Sequence, residues 1–223
     1  MVNVTDVDQS LPEWVPGNDR LDLIFQEQYK LIEKYDIIED KNLLLQTPLC
    51  PVSIDDRFGQ ARLKDFAWRI TEELTEYTTA TEGKQHAHEE LGDVCHFLIE
   101  LIILSNLNPI KLVSKEFFER EPHLNCKLEW CFNRIQDDHH YVGKIDATYR
   151  IIESLGLAMN CLKQKPWKQT HIATDIKKFN KYITWTWNCF IRLCIEEHIT
   201  SHQLFEVYFL KNKVNRFRIN SKY

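Results

Sequence analysis

Residues 69–104 read RITEELTEYTTATEGKQHAHEELGDVCHFLIELIIL: two helix-like segments, each with a pair of acids three residues apart. Glu73 and Glu76 lie on the first, Glu90 and Asp93 on the second. Side chains at i and i+3 share one face of a helix, so each pair aims its carboxylates in one direction. If the helices pack antiparallel through the short Thr81–Lys84 connection, the four carboxylates converge. An oxygen-only, acid-rich pocket suits Mg²⁺, with Mn²⁺ as a substitute, and these ions also bind substrate phosphates.

Paired acids at helical spacing are most often a solvated face. Here the acids of the second helix run straight into VCHFLIELIIL, so much of that helix must be buried. Charges at the head of so apolar a helix need partners, and a cation is one. Glu72, Glu82 and Glu89 are left as the solvated acids.

The 223 residues, 43% of them hydrophobic, can bury one sizeable core with a small insertion. Six Gly and seven Pro among long periodic runs favour an all-α fold. A net charge of −5 argues against a nucleic-acid partner, which would call for a basic face. The seven Cys form neither a CxxC pair nor a zinc spacing, and three have apolar neighbours. Reduced, mostly buried thiols in a cytoplasmic protein are therefore expected. The N-terminal MVNVTDVDQSLPEW lacks the pattern of a signal peptide, and FLIELIILSNL is too short to span a membrane.

Taken in order, residues 1–18 read as a loose arm and 19–223 as one domain with a variable insertion at about 107–145. From about Asn18, Leu21, Ile24, Phe25, Gln28, Leu31 and Ile32 recur at helical spacing. Gln28 sits on or beside that apolar stripe, either a boundary residue or an amide able to read a base by donor and acceptor together. Residues 39–58 read as a long loop. A second helix from about Gly59 carries Phe66, Trp68 and Ile70, expected in the core, with Phe66, one helical repeat before Glu73, alternatively the floor of a ligand pocket beside the metals. The insertion holds two amphipathic pieces and an Asp137, Asp138, His139, His140 cluster, whose neighbouring side chains would diverge on a helix. Lys163, Lys165 and Lys168 serve either a helix end or a phosphate chain. Helices are expected at about 146–162 and 173–198, the latter dense in core or interface aromatics. The last begins at the capping box Thr200–Gln203 and bears Lys211, Asn215 and Arg218 in one row. That row is either an exposed basic face or a set for phosphate oxygens and a sugar hydroxyl.

These residues together resemble a known family. EELTE followed by EELGD matches the ExxE…ExxD pattern of the all-α nucleoside triphosphate pyrophosphatases, a superfamily that includes MazG-like enzymes and the dimeric dUTPases. DVCHF at 93–97 resembles the DxxHF of dimeric dUTPases, and YFLKNKVNRFRINSKY at 208–223 is similar to their YxxKNxxNxxRxxxxY. The resemblance implies a helical bundle, a homodimer, and Mg²⁺ held by Glu73, Glu76, Glu90 and Asp93. It implies Lys211, Arg218 and Tyr223 on the phosphates, Asn215 on the deoxyribose, and Phe66 and Gln28 at the base. One place departs from the family: the Asn four residues after its glutamine is replaced here by Ile32. The reaction implied is hydrolysis of dUTP to dUMP and pyrophosphate, with Glu73 or Glu76 taking a proton from water. The missing amide leaves a dCTPase or a broader deoxynucleotide pyrophosphatase as the alternative. A helical regulatory protein that has lost catalysis is the alternative outside enzymes.

Overall fold

The computed structural model describes residues 19–43, 50–80, 84–113, 117, 119, 126–138, 143–164 and 169–221. The described residues form eight helices: α1 (Arg20–Leu43), α2 (Arg57–Thr79), α3 (Lys84–Leu104), α4 (Pro109–Leu112), α5 (Lys127–Asp137), α6 (Lys144–Cys161), α7 (Ile176–Glu196) and α8 (Ser201–Asn220). No strand occurs among them, and the fold is an all-α bundle. None of these helices is long and apolar enough to cross a membrane. The N-terminal arm, residues 81–83, His139, His140, Lys165, Lys168 and Tyr223 lie outside the described residues.

The helices start where the sequence supplies acceptors for free N–H groups. Asp19 Oδ1 accepts from the backbone of Leu21 and Asp22, Asp56 from Gly59, Asp175 from Lys178. At α8 the capping box forms in full, with Thr200 and Gln203 each accepting from the other's backbone N–H. The buried carboxylate of Asp19 also accepts from the Lys127 backbone N–H (2.6 Å), so one side chain starts α1 and ties α5 to it.

The most extensive pairings are α6 with α7 and α2 with α3. Helix α8 lies across α3 and α1. The apolar run of α3 is buried almost all round: Val94, Cys95, Leu98, Ile99 and Leu101 to Leu104 have no exposed surface. Such a helix must be covered on several sides, and α1, α2, α7 and α8 all contact it. Around α7, Phe179, Trp187 and Phe190 are core, while Tyr182 and Trp185 are half-buried. Trp187 Nε1 faces Cys131 Sγ of α5 at 3.5 Å. No disulfide joins any of the seven cysteines, and five of them are buried.

Two sequence expectations need correction. Trp68 is not core: it is 62% exposed, with its indole N–H donating to Glu72 (2.8 Å) one turn on. The proposed loop at 39–58 is shorter, because α1 continues to Leu43 and α2 starts at Arg57. Within 107–145, α4 and α5 pack into the core through Leu112, Leu128, Cys131 and Phe132.

Candidate active site

Three of the four acids meet where α2 passes α3. Glu73, Glu90 and Asp93 each offer a carboxylate oxygen, and these oxygens lie within 4.8 Å of one another. Glu90 is buried, Glu73 and Asp93 half-buried. Glu76 is exposed and stands outside this trio, although its charge acts on all three members.

The electrostatics show carboxylates short of counter-charge. Burial, then the neighbouring charges of Asp93, Glu76 and Glu90, raise the Glu73 carboxyl to about 7 despite the opposing pull of Lys211. Burial also raises Glu90, with Asp93 adding to the shift. Asp93 is raised by burial even though Lys211 and Arg218 draw it down. His86 Nε2 lies 3.4 Å from Glu90 Oε1.

A hard divalent cation fits this donor set: all oxygen, half-buried, mutually repelling and incompletely neutralised. The trio is the candidate metal site, with Glu76 at its edge.

Helix α8 brings the cations. Lys211 Nζ lies 2.5 Å from Asp93 Oδ2, and Asn215 and Arg218 follow on the same face, half-buried and exposed. The close approach depends on Gly92, where an added Cβ would lie 2.6 Å from Val207 Cγ1.

On the other side of the acids, Phe66 is 4% exposed and tilts against Phe97 at 6.1 Å between ring centroids. The Arg69 guanidinium sits over both rings, 5.2 Å from Phe66 and 5.8 Å from Phe97. Phe66, expected either in the core or as a pocket floor, thus packs against Phe97 with the Arg69 guanidinium over both rings.

Gln28 is 1% exposed. Its amide spans the interior, with Nε2 2.9 Å from Glu100 Oε2 and Oε1 facing His96 Nδ1 (3.0 Å) and the Tyr208 hydroxyl (2.9 Å). The His96 and Tyr208 rings stack at 4.2 Å, and His96 Nε2 faces the Tyr208 carbonyl at 3.0 Å. Ile32, where the resemblance expects an amide, is buried apolar core.

The structure thus gathers Glu73, Glu90, Asp93 and Lys211, with Glu76 and Arg218 within electrostatic reach. Phe66 and Gln28 are buried and engaged by protein groups. Sequence reasoning missed Arg69, His86, Phe97 as a ring partner, and Glu100. The available signals were the phenylalanine of DVCHF and the lone charge inside FLIELIIL.

Comparison with curated proteins and with solved structures gives no significant match. A family model described as dUTPase matches residues 76–223, a span that holds Glu76, Glu90, Asp93, Lys211, Asn215 and Arg218 and begins after Gln28, Phe66 and Glu73. That match covers well over half of the chain and agrees with the all-helical fold and the acidic cluster between α2 and α3, so this chain belongs to the dUTPase family.

Proposed function

We propose that the protein is a Mg²⁺-dependent deoxynucleoside triphosphate pyrophosphohydrolase, acting on dUTP to give dUMP and pyrophosphate. The observation that carries this reading is the trio Glu73, Glu90 and Asp93 with Lys211 2.5 Å from Asp93, within a chain of the dUTPase family. The donor set and the uncompensated carboxylate charge favour Mg²⁺, with Mn²⁺ able to replace it. Family membership and the aromatic half-buried face of α7 favour a homodimer. A cytoplasmic location fits seven cysteines with no disulfide among them.

In this mechanism Glu73, Glu90 and Asp93 would hold the ion, with Glu76 at the edge of the set. When bound, Mg²⁺ supplies charge neutralisation for the polyphosphate and acidifies water. The proton of the attacking water goes to a carboxylate of α2, Glu73 or Glu76. Glu76 is exposed and outside the trio, and is the one not needed as a ligand. Lys211 and Arg218 bind phosphate oxygens and stabilise the charge that builds on them as the bond breaks. Tyr223 supports the phosphate end, and Asn215 holds the deoxyribose. Phe66 and Phe97 wall the base side, and Gln28 reads the base edge.

The buried Ile32 favours a second reading, dCTP or several deoxynucleotides as substrate, since an apolar side chain cannot supply a uracil-selecting hydrogen bond. The test is pyrophosphate release from dUTP, dCTP, dTTP and dATP with Mg²⁺ or EDTA. Mg²⁺-dependent release confined to dUTP supports the first reading; release from dCTP or from several nucleotides supports the second. No release from any of them would remove the enzymatic proposal and favour a regulatory protein.

A further inference from the structure

Gln28, His96, Glu100 and Tyr208 are all buried, His96 and Glu100 one and two helical turns from Asp93 on α3 and Tyr208 one turn from Lys211 on α8, and the mechanism above uses no charge on Glu100. An amide's two ends have the same shape, so the hydrogen inventory of its partners decides which end points where.

The inventory starts at a fixed acceptor. His96 Nε2 faces the backbone carbonyl of Tyr208 at 3.0 Å, and a carbonyl only accepts, so Nε2 carries a hydrogen. Burial pushes the imidazole down to about 4, against the Tyr208 carbonyl and with the help of Lys211, so the ring is neutral. Nδ1 then has a lone pair and needs a donor from Gln28, 3.0 Å away. The same end of the amide lies 2.9 Å from the Tyr208 hydroxyl, which has the Ile24 carbonyl at 3.1 Å to donate to. With the amide NH₂ at this end, one hydrogen goes to His96 and one to Tyr208. The amide oxygen is then left facing Glu100 Oε2 at 2.9 Å. Two oxygens at that distance share a hydrogen, and only the carboxyl can supply it.

The opposite orientation needs a fully buried imidazolium and offers the single Tyr208 hydrogen two acceptors.

We propose that Glu100 is a neutral carboxylic acid donating to the Gln28 amide oxygen, and that this buried proton makes Glu100 a specificity-determining residue acting through Gln28. Both Gln28 hydrogens are committed to His96 and Tyr208, so the valence left for a base is a lone pair on the amide oxygen. That acceptor suits the N3–H of uracil. Cytosine presents a lone pair at N3, and would require the amide reversed and Glu100 ionised. The base-selecting part rests on the proposed function; the location of the proton does not.

The experiment has two arms. In the substrate-free full chain, carbon-13 NMR of labelled Glu and nitrogen-15 NMR of labelled His read both groups at neutral pH. The expected result is a protonated carboxyl signal that disappears in Glu100→Gln, with a neutral His96 protonated on Nε2. An ionised Glu100 overturns the proposal whatever the state of His96. In the kinetic arm, Glu100→Gln can still donate an N–H to Gln28 and keeps the dUTP to dCTP ratio of kcat/KM within about 3-fold. Glu100→Met cannot donate, and the ratio falls by about 10-fold or more. An unchanged ratio in Glu100→Met, or its collapse in Glu100→Gln, overturns the specificity role. Should Glu100→Met fail to melt cooperatively, the Glu100→Gln ratio and the NMR arm decide. A wild-type chain that releases pyrophosphate from no nucleotide removes the proposed function and the specificity role with it, and leaves the proton to NMR.

Discussion

Lys211 Nζ of α8 lies 2.5 Å from Asp93 Oδ2 of α3, so the last helix is tied to the acidic cluster by a direct ion pair. Asp93 nevertheless stays above the ordinary aspartate range, because burial outweighs the nearby cation. Lys211 is therefore both a counter-charge and a competitor for whatever else binds Asp93. Replacing Lys211 with Met should lower kcat/KM by about 100-fold through lost stabilisation of phosphate charge. The same change should let Mg²⁺ bind at lower concentration, since Asp93 loses its internal partner. Metal titration beside steady-state kinetics checks both; a variant weaker in Mg²⁺ and unchanged in kcat would contradict the assignment.

The acidic trio sets how stability depends on pH in the absence of metal. Glu73, Glu90 and Asp93 are all held above their ordinary values, so the folded chain takes up protons that the unfolded chain has released. Their contribution is fully present below the ordinary carboxylate range and is lost as pH rises through about 7, the folded value of Glu73. Glu197, lowered by its bonds to Lys144 and Tyr77 against the cost of burial, has the opposite sign, and its contribution fades only on the acid side of that window. In EDTA, Tm should fall between about pH 5 and pH 8, and the gain on adding Mg²⁺ should widen over the same interval, because ligands must be deprotonated. Thermal melts across that range decide it, and a flat metal-free profile would count against the site.

Substitutions within the α2 pair separate a ligand from a proton acceptor. Glu73→Gln removes one of three converging oxygens and should abolish both turnover and Mg²⁺-induced stabilisation. Glu76→Gln leaves the trio intact and should lower kcat by about 100-fold while the Mg²⁺-induced rise in Tm persists. Normal turnover in Glu73→Gln would sink the metal assignment.

Helix-level structure was legible because periodic apolar runs and capping residues act locally. Asp56, Asp175 and Thr200 each start a helix within a few residues of the boundary that the pattern indicates. The acidic pairs were legible for the same reason, since i and i+3 share a face wherever the helix ends up. Relations between helices were not. No spacing says that Gln28 meets Glu100 across 72 residues, or that Arg69 covers two rings from different helices. Trp68 shows the limit from the other side: large aromatics favour the core, yet its helical phase turns it outward, where Glu72 satisfies its indole N–H.

Two glycines in helix interiors should respond in opposite ways to alanine. Gly156 of α6 is exposed, and nothing lies within 4 Å of the position its Cβ would take. Gly156→Ala should stabilise the fold by about 0.5–1 kcal/mol, through the lower backbone entropy of the unfolded chain. Gly92 of α3 has the same intrinsic preference, but its Cβ would meet Val207 Cγ1 at 2.6 Å. Valine has few rotamers within a helix, so relief must come from moving α8 away from α3, at a cost of about 1–3 kcal/mol. The displacement acts one residue from Asp93 and four from Lys211, so kcat should fall beyond what lost stability explains, and Gly156→Ala should leave it unchanged. Denaturant melts paired with turnover at a temperature where both variants are folded test this. Equal kcat in the two variants would show that the α3–α8 spacing is not what brings Lys211 to the acids.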